Sequence, residues 1–383
     1  MLVTTAQSIR RAADRHWGVV LLVGLAVVGW HNWRLWRRDR ALADRLRDER
    51  APLPKLSRTP KVSALVAAWN ESANIDAHIQ SFLALEYPEI ELVLCAGGSD
   101  DTLERARLYA SKRVIVLEQQ LGEGKQRALA HCMQQAQGEL IYLTDADCIF
   151  HDEALVRLMA PLIEEGEQVS TGGSRPLDEQ EAKILPAYLW ASDVVANAHF
   201  EQYVEGLLGR NAAVTRSAID RIGGLGFEAR TGTDYQLAQR LLAVGLKICY
   251  VKESIVKSRY PETIRDYRHR QSRWLRNLLI YGLRYGAKRD VRLTLKTIAT
   301  GMFMLLAPLV AMASNSALLI CWLLLLCQAT TSKLRYAMFA VRLYRGPISL
   351  RLFAAALPLT LAEFVIWSLP IYDLLNPQRR EQW

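Results

Sequence analysis

The sequence has few cysteines, and their positions exclude a disulfide framework. Six cysteines are spread over 383 residues, and none of them belongs to a CxxC pair. Small secreted domains that depend on disulfides are cysteine-dense, so we expect reduced thiols that are mostly buried. Disordered chains are poor in apolar residues, whereas 51% of this chain is hydrophobic. The chain is therefore neither a disulfide scaffold nor intrinsically disordered.

Charge is missing from three long stretches. Residues 297–332 form a run of 36 without one charge, and 352–372 contain only Glu363. Residues 17–33 also lack Asp, Glu, Lys and Arg. A soluble helix needs only one apolar face, and about 20 apolar residues are enough to span a bilayer. We therefore predict a multi-pass membrane protein with four crossings.

The composition shifts divide the chain into five predicted segments. They are, in order, an N-terminal anchor and basic flank (1–50, span about 17–36), a proline-containing linker (51–60), a cytosolic α/β domain (61–262), amphipathic interfacial helices (263–292) and a C-terminal membrane domain (293–383, spans about 297–313, 316–331 and 352–372). The first two C-terminal spans are separated at 314–316 because the uncharged run is too long for one helix across the bilayer.

The distribution of basic residues predicts the orientation. Segments 34–50 and 333–351 hold twelve Lys and Arg residues, against five in the two ends, 1–16 and 374–383. Basic segments next to spans remain in the cytosol, so the termini are predicted outside and the middle segment inside (at the inner or plasma membrane if the source is bacterial). The net charge of +9 is expected to face anionic membrane lipids. No nucleic acid is expected as a partner, because aromatic and basic residues do not interleave as in RNA-binding motifs.

The middle segment has the pattern of a parallel sheet. Four apolar, β-rich runs at 62–68, 90–96, 114–117 and 140–144 are separated by stretches of helix length. Such alternation indicates parallel strands with crossover helices, and ligands of these sheets bind beyond the carboxyl ends of the strands. Gly124-Lys125 lacks the rest of a P-loop and Gly97-Gly98 does not extend to GxGxxG, so we exclude a P-loop NTPase and a dinucleotide dehydrogenase.

Two acidic positions are candidates for chemistry. Asp145 and Asp147 follow the fourth predicted strand, and hard carboxylate ligands suit Mg²⁺ or Mn²⁺; a solvated Asp turn is the alternative. Asp234 precedes a predicted helix, where it either caps the helix N-terminus or serves as a general base.

A third candidate is the basic, amphipathic stretch around 264–285. Its apolar and aromatic residues recur at helical spacing, and arginines surround them. Such a helix can lie at the membrane interface with its arginines among the headgroups. One or two of the arginines are also candidates for phosphate contacts.

Taken together, these motifs resemble the family 2 glycosyltransferases, which are inverting, nucleotide-sugar-dependent enzymes of the GT-A fold. The resemblance covers 61–274: the strand and turn at 62–71, Gly124-Lys125, the DxD segment at 143–148, Gly209-Arg210-Asn211, Asp234 and the RxxRW box at 270–274. A box that begins with Arg270 is similar to that of ceramide glucosyltransferases and bacterial glycolipid glycosyltransferases. The resemblance implies a Rossmann-like, mixed and mostly parallel sheet joined to transmembrane helices.

The resemblance also implies roles for individual residues. Asp234 would be the catalytic base, and Asp147 with Asp145 would hold Mg²⁺ or Mn²⁺. The nucleotide-sugar site would include Ala68, Glu71, Asp100, Lys125, Asp145, Arg270, Arg273 and Trp274, with Asp100 replacing the acidic pocket residue that the family has after its second strand. The acceptor side would include Gly209, Arg210, Asn211 and Trp274.

The expected reaction is transfer of a sugar from a nucleotide diphosphate sugar, UDP-linked by preference, to a lipid hydroxyl in the bilayer. The alternative enzyme is a processive polysaccharide synthase of the cellulose or hyaluronan type. A non-catalytic membrane scaffold that has kept the fold is a third reading, because fold alone does not fix function.

Overall fold

The computed structural model describes the backbone of residues 2–314, 316–344 and 350–375, and the side chains of 17–311, 317–344, 350–372 and 374. Residue 315, in the predicted break between two spans, lies outside the described residues, as do Arg345 and residues 376–383.

Within these ranges the chain forms helices and strands in alternation. The helices are α1 Leu2–Asp48, α2 Ile75–Leu83, α3 Thr102–Arg107, α4 Gly124–Gln135, α5 Asp152–Glu164, α6 Ile184–Ala198, α7 Arg216–Arg221, α8 Thr233–Ala243, α9 Ile264–Tyr285, α10 Lys288–Ser314, α11 Ser316–Tyr344 and α12 Leu350–Leu375. The strands are β1 Val62–Trp69, β2 Ile90–Gly97, β3 Val114–Glu118, β4 Leu140–Leu143, β5 Cys148–Ile149, β6 Val169–Pro176, β7 Tyr203–Val204, β8 Ala212–Thr215 and β9 Ile248–Ser258.

The described chain divides into two compact units. A sheet unit comprises 50–181 and 197–260, and a helical unit comprises the described residues of 1–49, 182–196 and 261–382. The continuous domain predicted over 61–262 is thus interrupted. Most of α6 belongs to the helical unit, because Leu185 packs there in an apolar cluster with Tyr267 and Ile366.

The sheet is mixed and mostly parallel, as predicted. Its order is β3-β2-β1-β4-β8-β6-β9-β5, with β7 paired to β9. β3, β2, β1 and β4 are parallel neighbours, and these are the four strands predicted from the apolar runs. β8 is antiparallel to both β4 and β6, which adds the later strands to the β4 edge.

Alternate residues of the central strands enter two separate cores. On one face, Val66 and Leu92 belong to a cluster with Phe82 of α2. On the other face, Leu65 and Val93 belong to a cluster with residues of α4 and α8. Successive side chains of a strand point to opposite faces, and parallel sheets are normally covered on both. Helices therefore bury both sides, and the strand ends remain for ligands.

One carboxylate is buried between the first two strands. Glu91 is 4% exposed, accepts hydrogen bonds from Ser63 Oγ and the Gln137 backbone N–H, both at 2.6 Å, and pairs with Lys61 Nζ at 2.9 Å. Burial by itself would raise the pKa of Glu91, but these partners outweigh it and lower the pKa. Charge on Glu91 therefore stabilises the fold.

The helical unit contains four candidate membrane spans among the described residues. They are Trp17–Asp48, Lys288–Ala311, Ala317–Tyr344 and Leu350–Tyr372, judged by length and composition. Each lies in one of the long helices α1, α10, α11 and α12, at the places where uncharged stretches predicted spans.

Glu363 is the buried acid of the last candidate span. It is 3% exposed and pairs with Lys333 Nζ of α11 at 2.9 Å. It also accepts hydrogen bonds from the hydroxyls of Tyr188 in α6 at 3.1 Å and Tyr267 in α9 at 2.9 Å. An ionisable group in a membrane segment needs such partners. The hydrogen bonds and the ion pair of Glu363 connect α12 to α6, α9 and α11.

Candidate functional site

The loop after β1 presents Glu71 at the carboxyl edge of the sheet. Asn70 adopts a left-handed conformation with φ 58°, and its Oδ1 accepts a hydrogen bond from the Ser99 backbone N–H at 2.7 Å. An added Cβ at Gly98 would collide with that Asn70 oxygen. The Glu71 backbone N–H in turn donates to Thr102 Oγ1 at 2.8 Å. The ends of β1 and β2 are thereby held together.

Glu71 lies in a network that reaches the DxD segment. Asn74 Nδ2 donates to Glu71 Oε2 at 2.7 Å, Arg259 Nε donates to Asn74 Oδ1 at 3.0 Å, and the Arg259 backbone N–H donates to Asp147 O at 3.1 Å. Burial raises the pKa of Glu71, and the negative charges of Asp147 and Asp145 raise it further against the Asn74 hydrogen bond. Glu71 is therefore connected to the DxD segment through Asn74 and Arg259.

Lys125 connects the DxD segment to Asp234. Its Nζ donates to Asp145 Oδ1 at 2.5 Å and lies 4.0 Å from Asp234 Oδ1. Burial would lower the pKa of Lys125, but the two carboxylates outweigh that effect and raise the pKa. One ammonium group therefore joins the predicted metal segment to the predicted base.

The Asp234 carboxylate lies in a recess with an apolar floor. Lys125, Thr144 and Gly209 line the recess beside Asp234, whose side chain is 42% exposed. The rest of the lining is Gln126, Thr233 and five leucines: Leu129, Leu143, Leu207, Leu225 and Leu237. A carboxylate that is partly exposed above an apolar floor can accept a proton from a hydroxyl placed in the recess.

Asp234 is not a helix cap, so this alternative interpretation was wrong. The N-cap of α8 is Gly232, in a left-handed conformation with φ 62°, and Asp234 lies in the first turn. A carboxylate in that turn is stabilised by the helix dipole, and Thr233 Oγ1 donates to Asp234 Oδ1 at 2.8 Å. Both features fix the orientation of the carboxylate.

Gly209 leaves space for the Asp234 carboxylate. A Cβ added at Gly209 would lie 2.7 Å from Asp234 Cγ and 3.0 Å from Oδ2. The predicted acceptor-side glycine thus has a specific local effect, because any side chain at this position would displace the candidate base.

Arg210 and Asn211, predicted on the acceptor side, have different surroundings. Arg210 donates a hydrogen bond to Ser258 Oγ at 2.8 Å. Burial would lower the pKa of Arg210, but neighbouring negative charges, led by that of Asp147, outweigh this effect and raise the pKa. The guanidinium charge of Arg210 is therefore stabilised by the DxD segment. Asn211 is fully buried, and its Nδ2 donates to Gly173 O and to Ser254 O, both at 3.0 Å. Its side chain therefore supports the loop from within the core.

Two predicted donor-site residues have structural partners. Asp100 accepts hydrogen bonds from Thr102 Oγ1 at 2.5 Å and from the Ser72 backbone N–H at 3.2 Å; burial opposes its charge, but these bonds lower its pKa to about 2. Ala68 is fully buried near the end of β1, where it pairs with Ala96 of β2.

The box residues lie on α9 in the helical unit. Arg270 is half-buried and Arg273 is exposed, while Trp274 is 54% exposed. The residues that line the recess around Asp234 all belong to the sheet unit. The structure therefore brings together Glu71, Lys125, Asp145, Asp147 and Asp234, and it places the box on a separate unit.

Asn74, Thr233 and Arg259 were missed by the sequence analysis. Asn74 and Arg259 meet because β9 pairs with the short strand β5, which follows the DxD segment. This pairing joins residues more than one hundred positions apart and leaves no local signal. Thr233 could have been found, since a hydroxyl residue directly before a candidate base is a simple local donor.

The DxD carboxylates have the chemistry of a divalent-cation site. Hard oxygen ligands suit Mg²⁺ and Mn²⁺, and Glu71 adds negative charge nearby. Lys125 Nζ donates to Oδ1 of Asp145, and Cys148 Sγ lies 3.4 Å from Oδ1 of Asp147; Asp147 with Asp145 stays the predicted pair of ligands.

Comparison with known proteins gives one family match and several distant relatives. The sequence model of a family described as glycosyltransferase-like family 2 matches residues 60–277. The probable glycosyltransferase YdaM of Bacillus subtilis is 25% identical over 57% of this chain and 55% of its own length. The poly-beta-1,6-N-acetyl-D-glucosamine synthase of Staphylococcus epidermidis is 23% identical over 68% of this chain and 64% of its own length.

One further relative and one solved structure are also similar to this chain. The beta-monoglucosyldiacylglycerol synthase of Synechocystis sp. is 27% identical over 67% of this chain and 58% of its own length, so the chain spans 55–64% of these three curated relatives. Among solved structures, the mannosyltransferase PcManGT of Pyrobaculum calidifontis, in complex with GDP-Man and Mn²⁺, aligns with a TM-score of 0.51 at 18% identity. The alignment covers 93% of this chain and 99% of that one.

Proposed function

The chain belongs to the glycosyltransferase-like family 2, and we propose that it transfers a sugar from a nucleotide diphosphate sugar, UDP-linked, to the hydroxyl of a membrane lipid with inversion at the anomeric carbon. The observation that carries this proposal is the position of Lys125, 2.5 Å from Asp145 and 4.0 Å from Asp234. A site for a diphosphate and a base for an acceptor hydroxyl are thereby adjacent.

Asp234 acts as the general base in this reaction. Its carboxylate removes the proton of the acceptor hydroxyl while that oxygen attacks the anomeric carbon from the side opposite the leaving diphosphate. Thr233 and Gly209 hold the carboxylate in the recess. A positioned base contributes about 10²–10⁴-fold in rate.

The remaining charged residues bind the leaving group. A divalent cation held by Asp147 and Asp145 would supply Lewis-acid stabilisation of the diphosphate charge. Lys125 and Arg210 add fixed positive charge beside those carboxylates, and such preorganised charge is an effective form of catalysis. Arg270, Arg273 and Trp274 stay predicted donor-side and acceptor-side residues, and they lie on α9 of the helical unit.

A lipid acceptor is supported by the candidate spans and by one relative. Four helices are long and apolar enough to cross a bilayer, and a related enzyme is a beta-monoglucosyldiacylglycerol synthase. The sheet unit then works at the cytosolic face, where the basic flanks of the spans lie.

The second candidate is a processive polysaccharide synthase. It is favoured by the similarity to the poly-beta-1,6-N-acetyl-D-glucosamine synthase of Staphylococcus epidermidis. The products separate the two: lipid carrying one or two sugars supports the glycolipid proposal, and a ladder of polymer lengths supports the synthase.

Asp234→Asn tests the base. The amide keeps the size of the carboxylate and one acceptor oxygen for Thr233, so the fold should persist while turnover falls by about 10²–10⁴-fold. Donor binding, measured by calorimetry with UDP and Mn²⁺, should be nearly unchanged. Turnover close to that of the wild type would refute the assignment.

Asp147→Asn tests the cation site in the same assays. A neutral amide is a poorer ligand for a hard dication, so UDP should bind this variant more weakly and lose its dependence on Mn²⁺. Asp220→Asn, an exposed acid of α7, is the matched control and should bind as the wild type does. Wild-type UDP affinity that is unaffected by chelation would contradict the cation site.

A further inference from the structure

An open groove lies in the helical unit where α6, α9 and α12 begin. It has a volume of about 500 Å³, within the usual range for small-ligand sites, roughly 300–1,000 Å³. Its wall is apolar and is formed mainly by Ile184, Leu185, Ile264 and Leu359. Ile264 is 43% exposed, so part of this apolar wall is uncovered.

The rim of the groove carries charge. Lys183 Nζ pairs with Glu262 Oε2 at 2.6 Å, which neutralises both. Arg351 also lines the groove and is exposed, and with the residues that the structure describes it makes no hydrogen bond or ion pair. The groove therefore has an excess of one positive charge, located on Arg351.

The position of Arg351 relates the groove to the membrane. Arg351 is the second residue of α12, and the candidate span Leu350–Tyr372 begins beside it. Leu359, two turns further along α12, is within the apolar part of that span. The groove therefore has a cation at the end of the span and an apolar wall further along it. This arrangement fits an amphiphile whose headgroup lies at the membrane surface and whose chain lies in the bilayer.

We propose that this groove binds an anionic membrane lipid, with the lipid phosphate on Arg351 and the upper part of an acyl chain on Ile264 and Leu359. Guanidinium groups bind phosphate with two parallel hydrogen bonds. Basic pockets between membrane helices on the cytosolic side are known to hold acidic headgroups. An acyl chain would also remove the uncovered apolar wall from water.

The apolar wall favours a lipid over a free phosphate ion. Inorganic phosphate could contact Arg351, but it would leave Ile264 and Leu359 exposed and gain nothing from them. A zwitterionic lipid would cover the wall but would bring no net negative charge to the cation. The groove therefore selects for a molecule that has both parts.

The test measures lipid binding by the full chain in detergent, without any sugar donor. The probes are a short-chain phosphatidylglycerol, the matching phosphatidylcholine and inorganic phosphate, followed by native mass spectrometry or thermophoresis. Phosphatidylglycerol should bind more tightly than phosphatidylcholine. Arg351→Gln should weaken phosphatidylglycerol binding about fivefold, the contribution of one basic residue near an anionic surface, and should leave phosphatidylcholine unchanged.

Two further variants keep the test specific. Arg292→Gln removes an exposed arginine of α10 and should leave binding unchanged, whereas Ile264→Ser should weaken both lipids. Equal losses in the Arg351 and Arg292 variants, or wild-type binding by Arg351→Gln, would overturn the site. If inorganic phosphate at equal concentration displaces the lipid, the groove is a general anion site, and the proposal of a lipid site is also overturned. No turnover is needed, so this result is independent of the proposed transfer reaction.

Discussion

Gly209→Ala is a steric test of the catalytic assignment, because it changes no charged group. The new methyl carbon would lie 2.7 Å from Asp234 Cγ, and ordinary contact requires at least 3.4 Å. The carboxylate must therefore move by about 0.7 Å or rotate away from the recess. Asp234 is a short side chain that is 42% exposed, so it can move without unfolding the sheet unit.

The size of the effect follows from this displacement. A misplacement of about 1 Å at a reacting group can cost about 10²-fold in rate, so we expect kcat to fall by between about tenfold and a hundredfold. The fall should be no larger than that of Asp234→Asn, which removes the base altogether. Stability should change little, because the clash is with the end of a partly exposed side chain that can move and the loss of freedom in the unfolded chain, about 0.4–1 kcal/mol, offsets part of the remaining strain.

The assay is steady-state transfer to lipid, with UDP binding and thermal unfolding measured in parallel. Gly206→Ala is the matched control, because it lies on the same loop and a Cβ there meets nothing within 4 Å. It should be as active as the wild type. Full activity of Gly209→Ala would refute the claim that the observed carboxylate position is the reactive one, and equal losses in both variants would attribute the effect to loop flexibility.

Three other predictions concern stability and orientation. Folding lowers the pKa of Glu91, so the charged carboxylate adds its full stabilisation above the pKa of the unfolded chain, about 4.3. That stabilisation is lost as the pH falls through the lower pKa of the folded state. Glu91→Gln should therefore make the free energy of unfolding less dependent on pH below about pH 5, as measured by denaturant titrations. Glu363→Gln leaves Lys333 buried without its ion pair and should lower the free energy of unfolding by about 3–5 kcal/mol. The unfolding temperature should fall in this variant and should stay at the wild-type value in Ser368→Ala, a control on the same helix. A single cysteine at Arg342, in a variant without native cysteines, should resist an impermeant thiol reagent in intact cells; rapid labelling would reverse the predicted orientation.

The first half of the sheet could be predicted because its physical basis is local. β1, β2 and β4 are buried on both faces, and such strands are continuous apolar runs in the sequence; β3 is only partly buried. The rule that ligands bind beyond strand ends then placed Glu71 and the DxD segment at one edge, whereas Lys125 was predicted from the family resemblance. The later strands carry weaker signals: β6, with the sequence VSTGGSRP, has two adjacent glycines and little hydrophobic pattern.

Long-range packing explains the errors. Gly172 of β6 is needed because a side chain there would collide with Asn211 and Ser254, and this same buried contact draws the Asn211 side chain into the core. No local pattern distinguishes a buried asparagine from one that faces an acceptor. Nothing in the sequence indicated that most of α6 belongs to the helical unit, since an apolar helix in a globular core and one that packs on membrane helices have the same composition.

The pairing of Lys125 with Asp145 has a consequence for the order of binding. In the structure the ammonium neutralises a carboxylate that a divalent cation would also use, and Coulomb repulsion between two cations a few ångströms apart is costly in a partly buried site. The negative diphosphate of a donor removes that cost by giving Lys125 a second partner. Cation and donor should therefore bind cooperatively, so the affinity for Mn²⁺ should rise when UDP is present. Lys125→Met should raise the affinity for Mn²⁺ alone and weaken its coupling to UDP. Equal Mn²⁺ affinity with and without UDP in the wild type would show that Lys125 does not compete for the DxD carboxylates.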